Sequence, residues 1–139
     1  MTISGEVCGA IDQGFLVLLG IETEDDASDV DWLIGKITKM RVFSDDGGLM
    51  NRSLLDVGGE ALVVSQFTLH ASTKKGNRPS FIRAARPEQA IPLYKQFVSS
   101  MKDVIGESRV ATGEFGADMQ VRLTNDGPVT IPIDSRNRV

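Results

Sequence analysis

Cysteine, histidine and long apolar runs are all scarce in this chain. Of 139 residues only one is cysteine, Cys8, which excludes an internal disulfide and fits a reducing compartment. Histidine also occurs once, as His70, so the two together cannot build a His/Cys zinc site. No carboxylate cluster with ligand spacing stands out either, and neither a metal nor another cofactor is expected. The longest apolar run, residues 15–19, falls far short of the roughly 20 residues that a membrane-spanning helix needs. The opening Met1-Thr2-Ile3-Ser4-Gly5-Glu6 has no basic segment followed by an apolar one, so no secretory signal is visible and a cytoplasmic protein is expected. The length suits one domain over residues 1–139, and 41% apolar with 24% charged residues is a globular composition.

Basic charge is in deficit overall but not locally. The net charge of −4 argues against a protein that coats a long nucleic-acid backbone, and no DNA partner is expected. A partner gripped at one end only stays compatible with it. Residues 12–31 are rich in acid, whereas residues 73–86 carry Lys74, Lys75, Arg78, Arg83 and Arg86 with no acid between them. That run reads either as a solvated loop or as a local phosphate-binding patch.

Periodicity places the elements. Residues 2–9 read as a short hairpin arm turning at Ser4-Gly5, and residues 14–21 as a buried strand. Val30, Leu33, Ile34, Ile37 and Met40 follow helical spacing over residues 29–41, with Asp26 or Ser28 as the cap. Residues 45–48 form a turn, and residues 61–69 a strand. A second amphipathic helix spans residues 87–105, begun by Pro87 and distorted at Pro92. Residues 108–111, 117–125 and 129–133 read as three strands, the middle one alternating cleanly. Two helices against five or more strands predict an α+β domain with a mainly antiparallel, barrel-like sheet.

Three segments carry candidate chemistry. If residues 65–69 are a strand end, Thr68 and His70 share a face, and Thr68 is a conceivable nucleophile. Residues two apart on a strand nevertheless lie roughly 6.6 Å apart, against the 2.6–3.2 Å or so that a nucleophile and its base need. The alternative is that the segment offers hydroxyl and amide donors, and such amides can stabilise an oxyanion. Asn125-Asp126-Gly127-Pro128 has every feature of a hairpin turn; with a cis Gly-Pro bond it would instead fix two carbonyl directions rigidly. Residues 112–119 place Phe115 between glycines, which suits either a packed connection or a stacking surface for a base.

Ser65-Gln66-Phe67-Thr68-Leu69 together with Asn125-Asp126-Gly127-Pro128-Val129-Thr130 resembles the D-aminoacyl-tRNA deacylase family. Three further stretches match in order: Arg41-Val42-Phe43-Ser44-Asp45 through Met50-Asn51, Gly76-Asn77-Arg78-Pro79-Ser80-Phe81, and Thr112-Gly113 through Phe115-Gly116-Ala117-Asp118-Met119. The resemblance runs from about Ile3 to Ile133. It implies a homodimer that hydrolyses the ester joining a D-amino acid, or glycine mischarged on alanine tRNA, to the terminal adenosine of tRNA. It implies that Gly127-Pro128 is a cis dipeptide reaching into the partner subunit's site, where its carbonyls exclude the side chain of an L-amino acid. The scissile ester would then lie against the backbone of Ser65, Gln66, Phe67 and Thr68. Phe115, Gly116, Ala117 and Met119 would lie near the adenosine or the pocket wall.

Two departures are expected at the ends. Family members usually begin with a further strand containing Gln-Arg-Val, and commonly have Val where Met1 stands; the start assigned here is expected to fall one strand late, or the chain to be shortened. Loss of that strand would open a sheet edge and remove an arginine that supports the Gly-Pro loop. Residues 134–139 run past the family's usual end and are expected to be a loose tail. Two other readings remain open: a small-molecule acyl hydrolase using Thr68 as nucleophile, and a non-catalytic protein that binds RNA ends.

Overall fold

A strand that is apolar along its whole length needs cover on both faces, and this fold supplies it for residues 61–64. The computed structural model describes residues 1–139. A hairpin of β1 (Thr2–Ile3) and β2 (Glu6–Val7) leads into β3 (Gly14–Leu19) and α1 (Ala27–Lys39). There follow β4 (Phe43–Ser44), β5 (Met50–Arg52), the short α2 (Leu54–Val57) and β6 (Glu60–Ser65). A 3-10 turn over Phe67–His70, α3 (Pro87–Ile105), β7 (Val110–Thr112) and β8 (Met119–Gln120) complete the order.

The central sheet runs β3-β6-β7 and is parallel throughout. Each parallel step crosses over through a helix, α1 between β3 and β6 and α3 between β6 and β7, as parallel neighbours require. Along β6 the side chains alternate between two cores. Ala61 and Val63 join Val30, Ile34, Ile37, Tyr94, Phe97 and Met101 under the helices. Leu62 and Val64 join Met1 on the opposite face, with Leu16, Ala111, Met119 and Val121 packed against them. A small antiparallel sheet, β2-β1-β8, carries Met119 in that second layer. Phe97, Met101, Leu54 and Val63 are wholly buried, so truncating any of the first three to alanine costs about 2–5 kcal/mol.

Local chemistry fixes the helix ends. Asp26 caps α1, accepting the Ser28 amide, while Asp29 reaches back to the Asp26 amide in a capping box. Pro87 opens α3, whose missing donor costs nothing there. Pro92 lies inside α3 on its exposed side without ending it.

Four expectations are corrected. The sheet is not mainly antiparallel and closes no barrel: the structure holds three separate sheets, the central one parallel. The strand expected over residues 61–69 ends at Ser65 and turns into the 3-10 segment. The strand expected over residues 117–125 shrinks to Met119–Gln120, and residues 129–133 form none, since no neighbouring strand in the chain completes their ladders. Apart from these, Ser135 donates to Asp29 at 2.8 Å and Arg138 stacks on the Trp32 ring at 4.3 Å, while Val139 is fully exposed.

Candidate active site

The end of β6 delivers Ser65 beside Leu19, and the Gln66 amide donates to the Leu19 carbonyl at 2.8 Å. From there the chain coils rather than extends. The Leu69 amide closes on Gln66 and the Ala71 amide on Thr68, which forms the Phe67–His70 turn. A turn of this kind leaves its first amides, those of Phe67 and Thr68, without partners inside it. Gly20 seats it: a β-carbon there would stand 3.1 Å from both the His70 ring and Leu69 Cβ, and 3.2 Å from the Gln66 carbonyl.

The coil overturns the strand geometry on which a Thr68–His70 pair would depend. Gln66 Nε2 donates to Thr68 Oγ1 instead. His70 turns its Nδ1 toward Glu22, 3.7 Å away, and no hydrogen bond joins it to Thr68. Phe67 is exposed and meets Phe81 edge-on, with ring centroids 5.1 Å apart.

The second segment is a loop closed on itself. The Gly127-Pro128 bond is cis. Asn125 Oδ1 accepts the Val129 amide at 3.0 Å, while its Nδ2 donates to Thr130 Oγ1 at 2.9 Å. Gly127 has φ +126, which favours glycine. Residues 125–128 are exposed, and none of the loop's hydrogen bonds reaches residues 65–69.

The third segment is divided. Phe115 is half-buried against Tyr94, with centroids 5.8 Å apart, and packs on the main core. Burial pushes the Tyr94 phenol above its ordinary value, partly opposed by Thr112, and the phenol donates to the Val63 carbonyl at 3.1 Å. Gly116 is exposed at φ +78; the Ala117 amide closes a turn on Glu114; Met119 pairs with Ile3 in the small sheet. An open cavity of about 760 Å³ beside α3, lined by Tyr94, Lys95, Ser99, Lys102 and Thr112, contains none of these candidate residues.

The sequence reading missed Glu22 and its partners. Glu22 is buried, and its Oε2 accepts from Arg83 Nη2 at 2.6 Å. The available signal was the opposition of an acidic stretch over residues 12–31 to a basic run over residues 73–86. No group of three His, Cys, Asp or Glu side chains is arranged to hold a metal ion, and no helix is long and apolar enough to cross a membrane.

The family model described as D-Tyr-tRNA(Tyr) deacylase matches residues 1–134. A protein of Flavobacterium johnsoniae named D-aminoacyl-tRNA deacylase is 57% identical over 138 residues, which are 99% of this chain and 91% of the relative. One of the same name from Akkermansia muciniphila is 61% identical over 136 residues, covering 98% and 90%. Among solved structures, the c-Myc DNA unwinding element binding protein is similar at 42% identity and TM-score 0.89, over 94% of this chain and 87% of that one. A probable eukaryotic D-amino acid tRNA deacylase shares the fold at 18% identity and TM-score 0.68, over 81% and 80%. The chain therefore belongs to the D-Tyr-tRNA(Tyr) deacylase family.

Proposed function

We propose that this chain hydrolyses the ester of D-aminoacyl-tRNA, and of glycine mischarged on alanine tRNA, as a cytoplasmic homodimer without a cofactor. The observation that carries the reading is the exposed Gly127-Pro128 loop, locked by Asn125 and bonded to nothing in its own chain's Ser65–Thr68 platform. Such a loop suits a filter that works in a neighbouring subunit. A rigid backbone wall rejects by shape whatever the side chain, which fits an enzyme acting on many amino acids.

On the platform, the amides of Phe67 and Thr68 receive the developing oxyanion, and Ser65 and Gln66 line the ester. An aminoacyl ester is already activated, so positioning and oxyanion donors matter more than a strong base. The 2′-hydroxyl of the adenosine lies beside the carbonyl and orients the attacking water. Gly116, Ala117 and Met119, with the edge of Phe115, form the wall toward the adenosine, and Lys74, Lys75 and Arg78 hold acceptor-stem phosphates.

A second subunit also answers to the exposed edges. Residues 121–124 and 129–133 keep their alternation without a ladder, leaving Leu123 57% and Ile131 47% exposed. A second copy of the chain supplies the missing cover.

The Thr68 nucleophile ranks second, because Thr68 Oγ1 accepts from Gln66 and faces no base. Incubation with D-tyrosyl-tRNA tests the proposal: free D-tyrosine is expected, and tRNA-end binding without release would favour a non-catalytic binder.

A further inference from the structure

We infer that Arg136 is a positioning residue for the ester platform, acting through a carboxylate cluster that it neutralises; the inference rests on reading Ser65–Thr68 as that platform. Three acids converge between β3 and the first turn of α1: Glu22 and Asp29, both buried, and Asp25, half-buried. Carboxylates this close repel one another strongly where water is excluded. Arg136 joins them. Its Nε donates to Asp25 Oδ1 at 3.2 Å and stands 4.0 Å from Glu22 Oε1, while its Nη2 donates to Asp29 Oδ2 at 2.9 Å and to the Glu24 carbonyl. Ser135, which donates to Asp29, secures its segment.

The far side of the same cluster holds the platform. Glu22 Oε2 lies 2.6 Å from Arg83 Nη2 and 3.7 Å from His70 Nδ1. His70 ends the platform turn. Arg83 follows two residues after Phe81, whose ring rests on Phe67. The Thr23 amide donates to the Arg83 carbonyl at 3.1 Å, which ties the two loops together again. One carboxylate thus touches both pieces that fix Phe67, and the guanidinium on its other side lets it stay buried there. Without Arg136, Arg83 is the one guanidinium left against three acids. Glu22 then turns toward water, and His70 and Arg83 move with it.

The experiment uses the full chain and three variants, Arg136→Ala, Arg136→Lys and Arg138→Ala. Turnover of D-tyrosyl-tRNA, emission of Trp32 and the NMR signal of His70 are followed together; each reporter residue is the only one of its kind. Arg136→Ala is expected to lower kcat roughly ten- to a hundredfold with KM little changed, since displacement of a reacting group by about 1 Å costs that much. It also shifts the His70 signal. Arg136→Lys restores part of both, because the charge returns without the bidentate fork. Adding Asp25→Asn to Arg136→Ala restores kcat by removing one excess acid. Arg138→Ala alters Trp32 emission and leaves kcat unchanged. An Arg136→Ala protein with unaltered kcat and an unaltered His70 signal overturns the inference. A wild-type chain without turnover overturns the proposed function instead, and the His70 signal still decides whether Arg136 reaches the platform.

Discussion

Gln66 Nε2 donates a hydrogen bond to the hydroxyl of Thr68, so that hydroxyl is engaged as an acceptor within its own turn. A hydroxyl held in this way has no base to take its proton, and the turn instead offers main-chain amides. Thr68→Ala should therefore slow turnover of D-tyrosyl-tRNA by about tenfold, the worth of one hydrogen bond of roughly 1.4 kcal/mol, without abolishing it. A burst of covalent intermediate in the wild type, lost together with all turnover in Thr68→Ala, would restore Thr68 as nucleophile.

Gly20 holds the platform turn at close range. With a β-carbon 3.1 Å from His70 and Leu69, Gly20→Ala forces the turn outward by a few tenths of an ångström. The expected result is a several-fold fall in kcat with a stability loss of about 1 kcal/mol. Gly14→Ala serves as the contrasting structural change: its β-carbon would stand 1.8 Å from the Glu60 carbonyl, which breaks the β3–β6 ladder. Thermal denaturation should find Gly14→Ala destabilised by several kcal/mol.

Asn125 makes both side-chain hydrogen bonds that close the Gly127-Pro128 loop. Asn125→Ala should cost about 1–2 kcal/mol of stability at most, because the bonds are exposed. Its larger effect is expected on selectivity, measured as hydrolysis of L-tyrosyl-tRNA, which should rise in the variant as the loop loosens.

Leu123 and Ile131 lie exposed on segments that lack a ladder. Leu123→Asp or Ile131→Asp should convert a dimer to a monomer in sedimentation at micromolar concentration and abolish turnover. A fully active monomer would contradict the shared site.

The acidic cluster sets the pH dependence of stability. Burial opposes ionisation of Asp29, but the Asp26 amide, the Ser135 hydroxyl and Arg136 together hold its carboxyl below the ordinary range. Its contribution is therefore present above about pH 4 and lost as the pH falls through that depressed value. Asp25 behaves oppositely: burial, with the charges of Asp29 and Glu22, raises its carboxyl despite the Glu22 amide and Arg136. Its ionised form costs stability at neutral pH, and acidification relieves that cost. Removing Arg136 moves both carboxyls upward. The Tm deficit of Arg136→Ala should be largest near pH 7 and narrow toward pH 4; a deficit independent of pH would contradict this.

Both long helices were legible because their apolar faces repeat at 3.6 residues and their starts carry Asp26 and Pro87. The apolar runs mark strands at residues 14–21 and 61–69, which the fold shortens to Gly14–Leu19 and Glu60–Ser65; their lack of alternation is itself a mark of parallel pairing, which an antiparallel topology overlooks. The short α2 was hidden between the three-residue β5 and the six-residue β6, though Ser53 and Asp56 form a capping box. Residues 65–69 were recognisable as a motif but not as a coil, since Phe67 and Thr68 favour extended structure and contacts with Gly20 and Leu19 decide otherwise. Glu22 and Arg83 are far apart in sequence, and Arg136 lies in a segment whose polarity suggested a tail; their meeting depends on tertiary packing.

The function proposed for this chain is selective hydrolysis of the D-ester by a main-chain platform and a loop filter. Measuring kcat/KM for D-tyrosyl-tRNA and L-tyrosyl-tRNA with the same preparation tests it most directly. A preference for the D-form of at least about a hundredfold is expected, the worth of roughly 2.7 kcal/mol of steric exclusion. Equal values for the two, or no hydrolysis of either, would contradict it.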